Sequence, residues 1–378
     1  MLKIGITGQS GFLGTHLTNT LNLYPNEFEV IPFEDEFFKD EAKLTSFVKK
    51  CDTIVHLAAM NRHHDPEVIY QTNTGLVKTL ISALNNASNN PHVLISSSIQ
   101  EQRDNLYGKS KKEARELLTT WSKENNAPFS GLVFPNIFGP FGDPYYNSFI
   151  ATFSHQLSHN ETPKIDVDAR IPLLYVNEAI KIIIDSIRKR ETADLIPIEH
   201  TSEYKVSEVL DLLKGYRKDY IDNGIIPELK NSFEINLFNT FRCYTDLENH
   251  NPVKLKLNTD NRGSFVETVK TNLGGQFSFS TTKPGITRGN HFHTRKIERF
   301  AVIKGKALIQ LRRIGTDKVL NFELNGNEPS YVDMPVWYTH NIKNIGEEEL
   351  YTLFWINEFF DPNDPDTYYE EVTQSNTE

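Results

Sequence analysis

The hydrophobic pattern of this chain changes its period once, near residue 250, and that change constrains the fold more than any other feature. Before it, short apolar runs alternate with helical stretches. Leu2–Thr7, Phe28–Phe33, Thr53–Leu57, Val93–Ser97 and Ser130–Phe134 read as strands, with helices at Phe12–Leu21, Ala42–Lys50, Val68–Asn85 and Lys109–Lys123. Strand, helix, strand, repeated, predicts an α/β Rossmann-like fold: a doubly wound parallel sheet with helices on both faces. After about Asn147 the pattern becomes irregular, with amphipathic segments at Asn147–His159, Asn177–Lys189 and Lys205–Tyr216 that suggest a mostly helical, substrate-covering region. From Val253 onward the runs become short and alternating: Phe277–Thr281, Arg299–Ile303, Ala307–Arg312, Leu320–Leu324 and Leu350–Trp355. That period predicts an all-β antiparallel barrel or sandwich. The polar, proline-bounded stretch Thr245–Pro252 places the boundary, giving domains of residues 1–247 and 253–378. The acidic tail Asp361–Glu378 is expected to end in a mobile segment.

Charge narrows the partners. The net charge is −10 with no basic block, which disfavours nucleic acid, because phosphate neutralisation needs clustered Lys and Arg. Any anionic ligand must then be held by local dipoles and not by the overall field. No apolar run reaches the roughly eighteen residues of a membrane span, so no membrane partner is expected. The opening MLKIGITG turns polar too soon for a signal peptide. Two distant cysteines, Cys51 and Cys243, read as inert core thiols in a reducing cytoplasm.

Two constellations carry chemistry. The first begins with Gly8, Gln9, Ser10, Gly11, Phe12, Leu13 and Gly14, between the first strand and the first helix. Gly8 permits a tight turn, Gly11 lets backbone approach a pyrophosphate, and Gly14 lets the helix pack on the sheet. Free N–H groups at the helix start would hold the phosphates. The segment Ile31–Glu36, after the second strand, is acidic with no nearby Arg, which favours a ribose 2′-OH and hence NADH; these acids read equally well as solvated loop residues. Further on, Ser96, Ser97 and Ser98 end a strand, and Tyr107 and Lys111 lie four apart on one helical face. A nearby ammonium is expected to lower the Tyr107 pKa, so that its hydroxyl exchanges a proton with a carbonyl oxygen as hydride arrives from a nicotinamide. Ser98, with Ser97 as the alternative, would bind the same oxygen.

This set resembles the extended short-chain dehydrogenase/reductase family, over roughly the first 245 residues. The resemblance is supported by Leu57-Ala58-Ala59, by Asn73 and by Pro135-Asn136-Ile137-Phe138-Gly139-Pro140. It implies that Leu57, Ala58, Ala59 and Asn73 join Tyr107 and Lys111 around the cofactor, and that Asn136 lies at the substrate. The gap from Ser98 to Tyr107 is short for that family. His56, His63 and His64 read as loop or satisfied histidines.

The second constellation is Gly285, His291-Phe292-His293, Glu298 and Gly305, followed by Pro335, His340 and Asn344. Alternation on a strand puts His291 and His293 on one face and Phe292 on the other. With Glu298 and His340 on neighbouring strands, three imidazoles and a carboxylate suit a divalent metal with an open position; zinc is favoured, and iron, manganese or nickel would also bind. The pattern resembles the cupin superfamily, although Trp337 stands where the second cupin motif usually has glycine. Asp260–Phe265 and Arg288–His291 also resemble the dTDP-sugar 3,5-epimerase cupins, in which the matching histidine is a metal-free base. With His291 assigned to metal, the proton acceptor is unidentified, Tyr338 and Lys270 being candidates alongside their readings as core tyrosine and surface lysine.

Segments across the whole chain, among them Asp104–Gly108, Tyr146–Phe153, Lys283–His291 and Phe359–Tyr368, resemble bifunctional capsule-precursor enzymes that fuse a reductase to a cupin. That resemblance adds Asn147 to the substrate residues. It implies C3 epimerisation of a UDP-linked deoxy-ketosugar in the cupin, then NADPH-dependent reduction of the C4 ketone (NADH being possible), in a cytoplasmic homodimer. The alternatives are a nucleotide-sugar 4-epimerase or 4,6-dehydratase with a cupin used for dimerisation, and a non-catalytic sensor of sugar or metal.

Overall fold

The computed structural model describes residues 1–260, 263–266, 268–271, 275–358 and 361–373, with the backbone alone for 257–260, 263–266 and 276. The chain divides into two compact units: Met1–Thr152 with Ile165–Ser207, and Phe153–Lys164 with Glu208–Glu378. Packing therefore draws the helical segments after residue 207 in with the β-rich unit, earlier in the chain than the change of sequence texture.

In the first unit the strands are β1 (Leu2–Thr7), β2 (Phe28–Ile31), β3 (Thr53–His56), β4 (His92–Ser98) and β5 (Phe129–Phe134). Between them lie α1 (Phe12–Asn22), α2 (Glu41–Lys49), α3 (Pro66–Ala87) and α4 (Leu106–Asn125). The sheet is parallel, in the order β2, β1, β3, β4, β5 and then Ala193–Pro197. Chain order reverses at β1, and ligands of such sheets bind beyond the strand C-termini at that switch point. The central strands β3, β4 and β5 are almost wholly buried because both faces of the sheet are covered there. One core holds Leu44, Phe47, Ile54, Leu80, Val93 and Leu118, each at most 2% exposed. Truncating one of these to alanine costs about 2–5 kcal/mol. Sequence reading missed the small sheet of Asn136–Phe138, Arg170–Tyr175 and Ser202–Lys205, whose strands are too short for a clear period.

The second unit contains the helix Ser232–Arg242 and two five-stranded sheets. One sheet is built from Val253–Lys254, Ser330–Met334, Glu298–Lys304, Leu350–Ile356 and Gln276–Thr282. The other is built from Val319–Asn325, Lys306–Arg313, Tyr338–Asn344, Thr287–Phe292 and Tyr368–Tyr369. All the pairs within the two sheets are antiparallel, and Val302, Ile309, Leu311, Val332, Ile342 and Leu350 pack in one core. This is the all-β double sheet that the alternating runs predict. Among the described residues no helix is long and apolar enough to cross a membrane.

Candidate active site and metal centre

In the first unit a cleft of about 880 Å³ opens at the switch point of the sheet. Gly8 has φ +71°, and a Cβ there would stand 2.8 Å from Ala58 N. A Cβ on Gly14 would stand 2.1 Å from Gly8 O, so both contacts require glycine. Thr7 Oγ1 meets His56 Nδ1 at 2.8 Å, and burial together with Lys111 pushes His56 down to about 3, so that ring is neutral. Gly8, Ser10, Gly11, Phe12, Leu13 and Gly14 line the cleft, with Leu57, Ala58 and Ala59 opposite. Gln9 does not; its Oε1 accepts from Phe33 N at 3.2 Å and ties the glycine turn to the segment after β2. Asn73 is also outside the lining. It accepts from Met60 N at 2.7 Å and donates to Met60 O and to Ser110 Oγ, so it positions the loop after β3 from behind.

Ser98, Tyr107 and Lys111 share the cleft with Asn136 and Asn147. The short spacing from Ser98 to Tyr107 has a structural cause. A single turn, Ile99–Gln102, follows β4, and α4 starts at Leu106 with Asn105 accepting from Gly108 N at 2.7 Å. A Cβ on Gly108 would stand 2.0 Å from Gln100 O, so glycine lets the helix press directly onto that turn. Arg115 clamps the turn through Glu101 at 2.7 Å, and Ser97 is hydrogen-bonded to the same carboxylate. Ser97 is thereby occupied. Ser98 Oγ accepts from Gln100 N at 3.2 Å, which leaves its O–H to donate.

The expectation for Tyr107 needs correction. Burial, with Tyr146 adding to it, pushes the phenol up to about 12 and not down. Lys111 is buried, donates to Ser96 O at 2.9 Å, and is itself pushed down to about 8 by burial. The lysine is therefore held by the strand end and stays cationic at neutral pH. The acidic segment after β2 also looks different in three dimensions. A turn over Asp35–Lys39 brings both Asp35 and Lys39 to the cleft. Sequence reading sought an Arg beside the strand end and missed this lysine. The His63 and His64 rings lie 4.1 Å apart, tilted by 39°, and His63 pairs with Asp65 O, in keeping with their reading as loop residues.

In the second unit His291, His293, Glu298 and His340 place one ligand atom each within 4.8 Å of the others. His291 sits opposite His340 across a bulge at Gly289–His291, where Asn290 has φ +58°. His293 Nε2 is 2.9 Å and His340 Nε2 3.2 Å from Glu298 Oε2. A carbonyl can only accept, so His293 Nδ1–H donates to Asp366 O and His340 Nδ1–H to Tyr338 O, which leaves both Nε2 atoms facing Glu298. His340 Nε2 is buried and makes no well-aligned hydrogen bond, its contact with Glu298 Oε2 lying at 3.2 Å, so a metal could take its lone pair. Burial disfavours the Glu298 carboxylate, but His293 and His340 outweigh it and hold that group well below the usual range. Burial, with the two neighbouring rings, takes His291 down to about 4. At His293, by contrast, burial is outweighed by Glu298 and Asp366, which raise that group. A divalent ion requires the carboxylate ionised and the imidazoles neutral, so its binding would displace the His293 proton, and the donor set fits one.

Trp337 keeps the left-handed backbone that glycine usually supplies, with φ +61°. Its N–H donates to His293 O at 2.8 Å and its ring stacks on Phe292 at 5.4 Å. A non-glycine residue there costs about 1–2 kcal/mol, offset by burying the indole to 2% exposure. Tyr338 is pushed up to about 12 by burial and Lys270 is exposed. Asn261 and Arg262, in the segment that resembles the sugar epimerases, lie outside the described residues, as do Phe359 and Phe360. The tail is tied down through residue 373, with Tyr368–Tyr369 pairing onto Thr287–Phe292.

The parallel sheet, the glycine cradle and the cleft together define the extended dehydrogenase/reductase class. Residues 4–196 match the NAD dependent epimerase/dehydratase family, and residues 258–368 match the polysaccharide biosynthesis C-terminal domain. The UDP-2-acetamido-2,6-beta-L-arabino-hexul-4-ose reductase of Pseudomonas aeruginosa is 32% identical over 97% of this chain and 98% of its own. The crystal structure of the capsular polysaccharide assembling protein CapF from Staphylococcus aureus is 34% identical, with a TM-score of 0.62, over 98% of this chain and 100% of that one. The chain belongs to the NAD dependent epimerase/dehydratase family and, within it, to the CapF group that carries the polysaccharide biosynthesis C-terminal domain. RMD from Pseudomonas aeruginosa, complexed with NADPH, shares the fold of the first unit at 19% identity (TM-score 0.52, 58% of this chain and 83% of that one).

Proposed function

We propose that the first unit reduces the C4 ketone of a UDP-linked 2-acetamido-2,6-dideoxy-hexulose, after the second unit has epimerised C3. The starting sugar would be UDP-2-acetamido-2,6-dideoxy-β-L-arabino-4-hexulose and the product UDP-N-acetyl-6-deoxytalosamine, on the way to UDP-N-acetyl-L-fucosamine for a capsule or surface polysaccharide. The observation that carries this reading is the end-to-end match to the Pseudomonas reductase. Ser98, Tyr107 and Lys111 on one cleft support it.

Bound NADPH supplies hydride to C4. Tyr107, neutral at working pH because burial holds it near 12, gives its proton to the C4 oxygen. Ser98 donates a hydrogen bond to the same oxygen, and cationic Lys111 stabilises the tyrosinate left behind. Asn136 and Asn147 face the sugar. Lys39 favours NADPH by reaching the 2′-phosphate, although NADH also fits the cradle. His291, His293, Glu298 and His340 would hold zinc or another divalent ion, which would supply Lewis-acid stabilisation of negative charge during exchange of the C3 proton. Two free cysteines fit a cytoplasmic enzyme, and a homodimer is the assembly expected. Mixing the ketosugar with NADPH should bleach the reduced-nicotinamide absorbance, and deuterium from solvent should appear at C3. Turnover without any external reductant would instead favour a 4-epimerase or 4,6-dehydratase.

A further inference from the structure

The C-terminal segment 361–373 reaches the histidine cluster from outside and holds the backbone around three of its four ligands. Asp366 is 2% exposed and sits at φ +40°. Its carboxylate accepts from Thr294 N at 3.1 Å, Thr294 Oγ1 at 2.7 Å, Arg295 N at 3.0 Å and Lys296 N at 3.1 Å. The turn that joins His293 to Glu298 is thus wound around one buried carboxylate. The carbonyl of the same residue takes the His293 Nδ1 proton. Four residues on, Glu370 N donates to Asn290 O at 2.9 Å, at the bulge that aims His291, and Glu370 O accepts from Thr339 Oγ1, beside His340. Arg312 anchors this stretch through Val372 O at 2.8 Å and the Glu370 carboxylate at 2.7 Å.

A four-acceptor carboxylate in a tail is more than a surface strand needs. Its bonds end on the loop that carries one ligand, and its backbone fixes that ligand's tautomer. We propose that Asp366 is a positioning residue for the metal, and that the tail is a strap which presets the site for ion binding. This rests on the metal reading of the cluster, and the test separates the two. Outer-shell partners of metal-bound histidine are worth roughly 10–100-fold in affinity.

Metal-free full-length protein would be titrated with cobalt(II), following its visible bands, and melted without metal. The wild type should take up one equivalent. Asp366→Ala should bind about 10–100-fold more weakly and with shifted bands, because the turn over Thr294–Lys296 that places His293 and Glu298 loses its carboxylate anchor. Should Asp366→Ala fail to fold, Asp366→Asn, which keeps the side-chain volume, decides by the same measures. Wild-type uptake with unchanged affinity and bands in the variant would overturn the strap proposal, even if the metal-free variant melted earlier. No uptake by the wild type would instead overturn the metal reading beneath it.

Discussion

The cleft in the first unit and the cluster in the second are both polar sites in buried surroundings, but they are assembled in opposite ways. The cleft is built where strand ends pass into turns and loops. Its residues come in short local runs, among them Gly8 to Gly14 without Gln9, Leu57 to Asn61, Ser96 to Ser98 and Pro135 to Gly139. The cluster is made entirely of side chains: His291 and His340 from paired strands of one sheet, Glu298 from a strand of the other sheet, and His293 from just past the end of Thr287–Phe292. Electrostatics follow the same division. In the cleft, burial is the dominant influence and pushes Tyr107 up and Lys111 down. In the cluster, burial is outweighed at Glu298 by the adjacent rings. The cluster depends on the backbone carbonyls of Asp366 and Tyr338 that hold the His293 and His340 rings in place.

Perturbing one site at a time sharpens the contrast. The largest effect is expected from Tyr107→Phe, which should lower ketone reduction by about 10²–10⁴-fold while C3 deuterium exchange continues; loss of both in one assay would break the two-site picture. His293→Ala should cost about 100-fold or more in metal affinity, read by metal analysis after dialysis, and unchanged metal content would show the ligand set to be misassigned. Lys111 is next. Its ammonium is present below about 8 and is lost above it, whereas Tyr107 keeps its proton until about 12. The pH profile of kcat/KM should therefore fall by about tenfold per unit above that lower value, with Lys111→Arg moving the limb upward. An alkaline limb that stays flat would remove the lysine from the mechanism. Lys39→Ala should narrow the preference for NADPH over NADH by about tenfold, the worth of one charge-assisted contact to phosphate. Steady-state KM values for the two cofactors measure it. The smallest effect is expected from Gly108→Ala, which forces α4 off the Ile99–Gln102 turn at about 1–3 kcal/mol and should lower the melting temperature by several degrees.

Much of this was legible beforehand because it is local. β1 and the start of α1 were read to the residue, and β3, α2 and α4 to within a few, since their apolar periods are long and their caps explicit. The metal candidates were legible because ligand types stand out against an apolar alternation. Lys39 was not, since a turn with no periodic signal returns it to the cleft. Asn73 and Gln9 carried family expectations, but their side chains are spent on loop backbone. The tail read only as acidic and polar with a mobile end, because nothing in its composition reveals that Asp366 finds four donors in the His293–Glu298 connection.

By itself, the amino-acid order determined the two periods, the glycines that permit close backbone approach, and the residue types able to carry a proton or an ion. Those are properties of single residues and their near neighbours. Only the tertiary structure decided the state of each group: which serine is free, which way the tyrosine shifts, and which imidazole nitrogen faces inward. Desolvation and hydrogen-bond partners set these, and both come from segments distant in the chain.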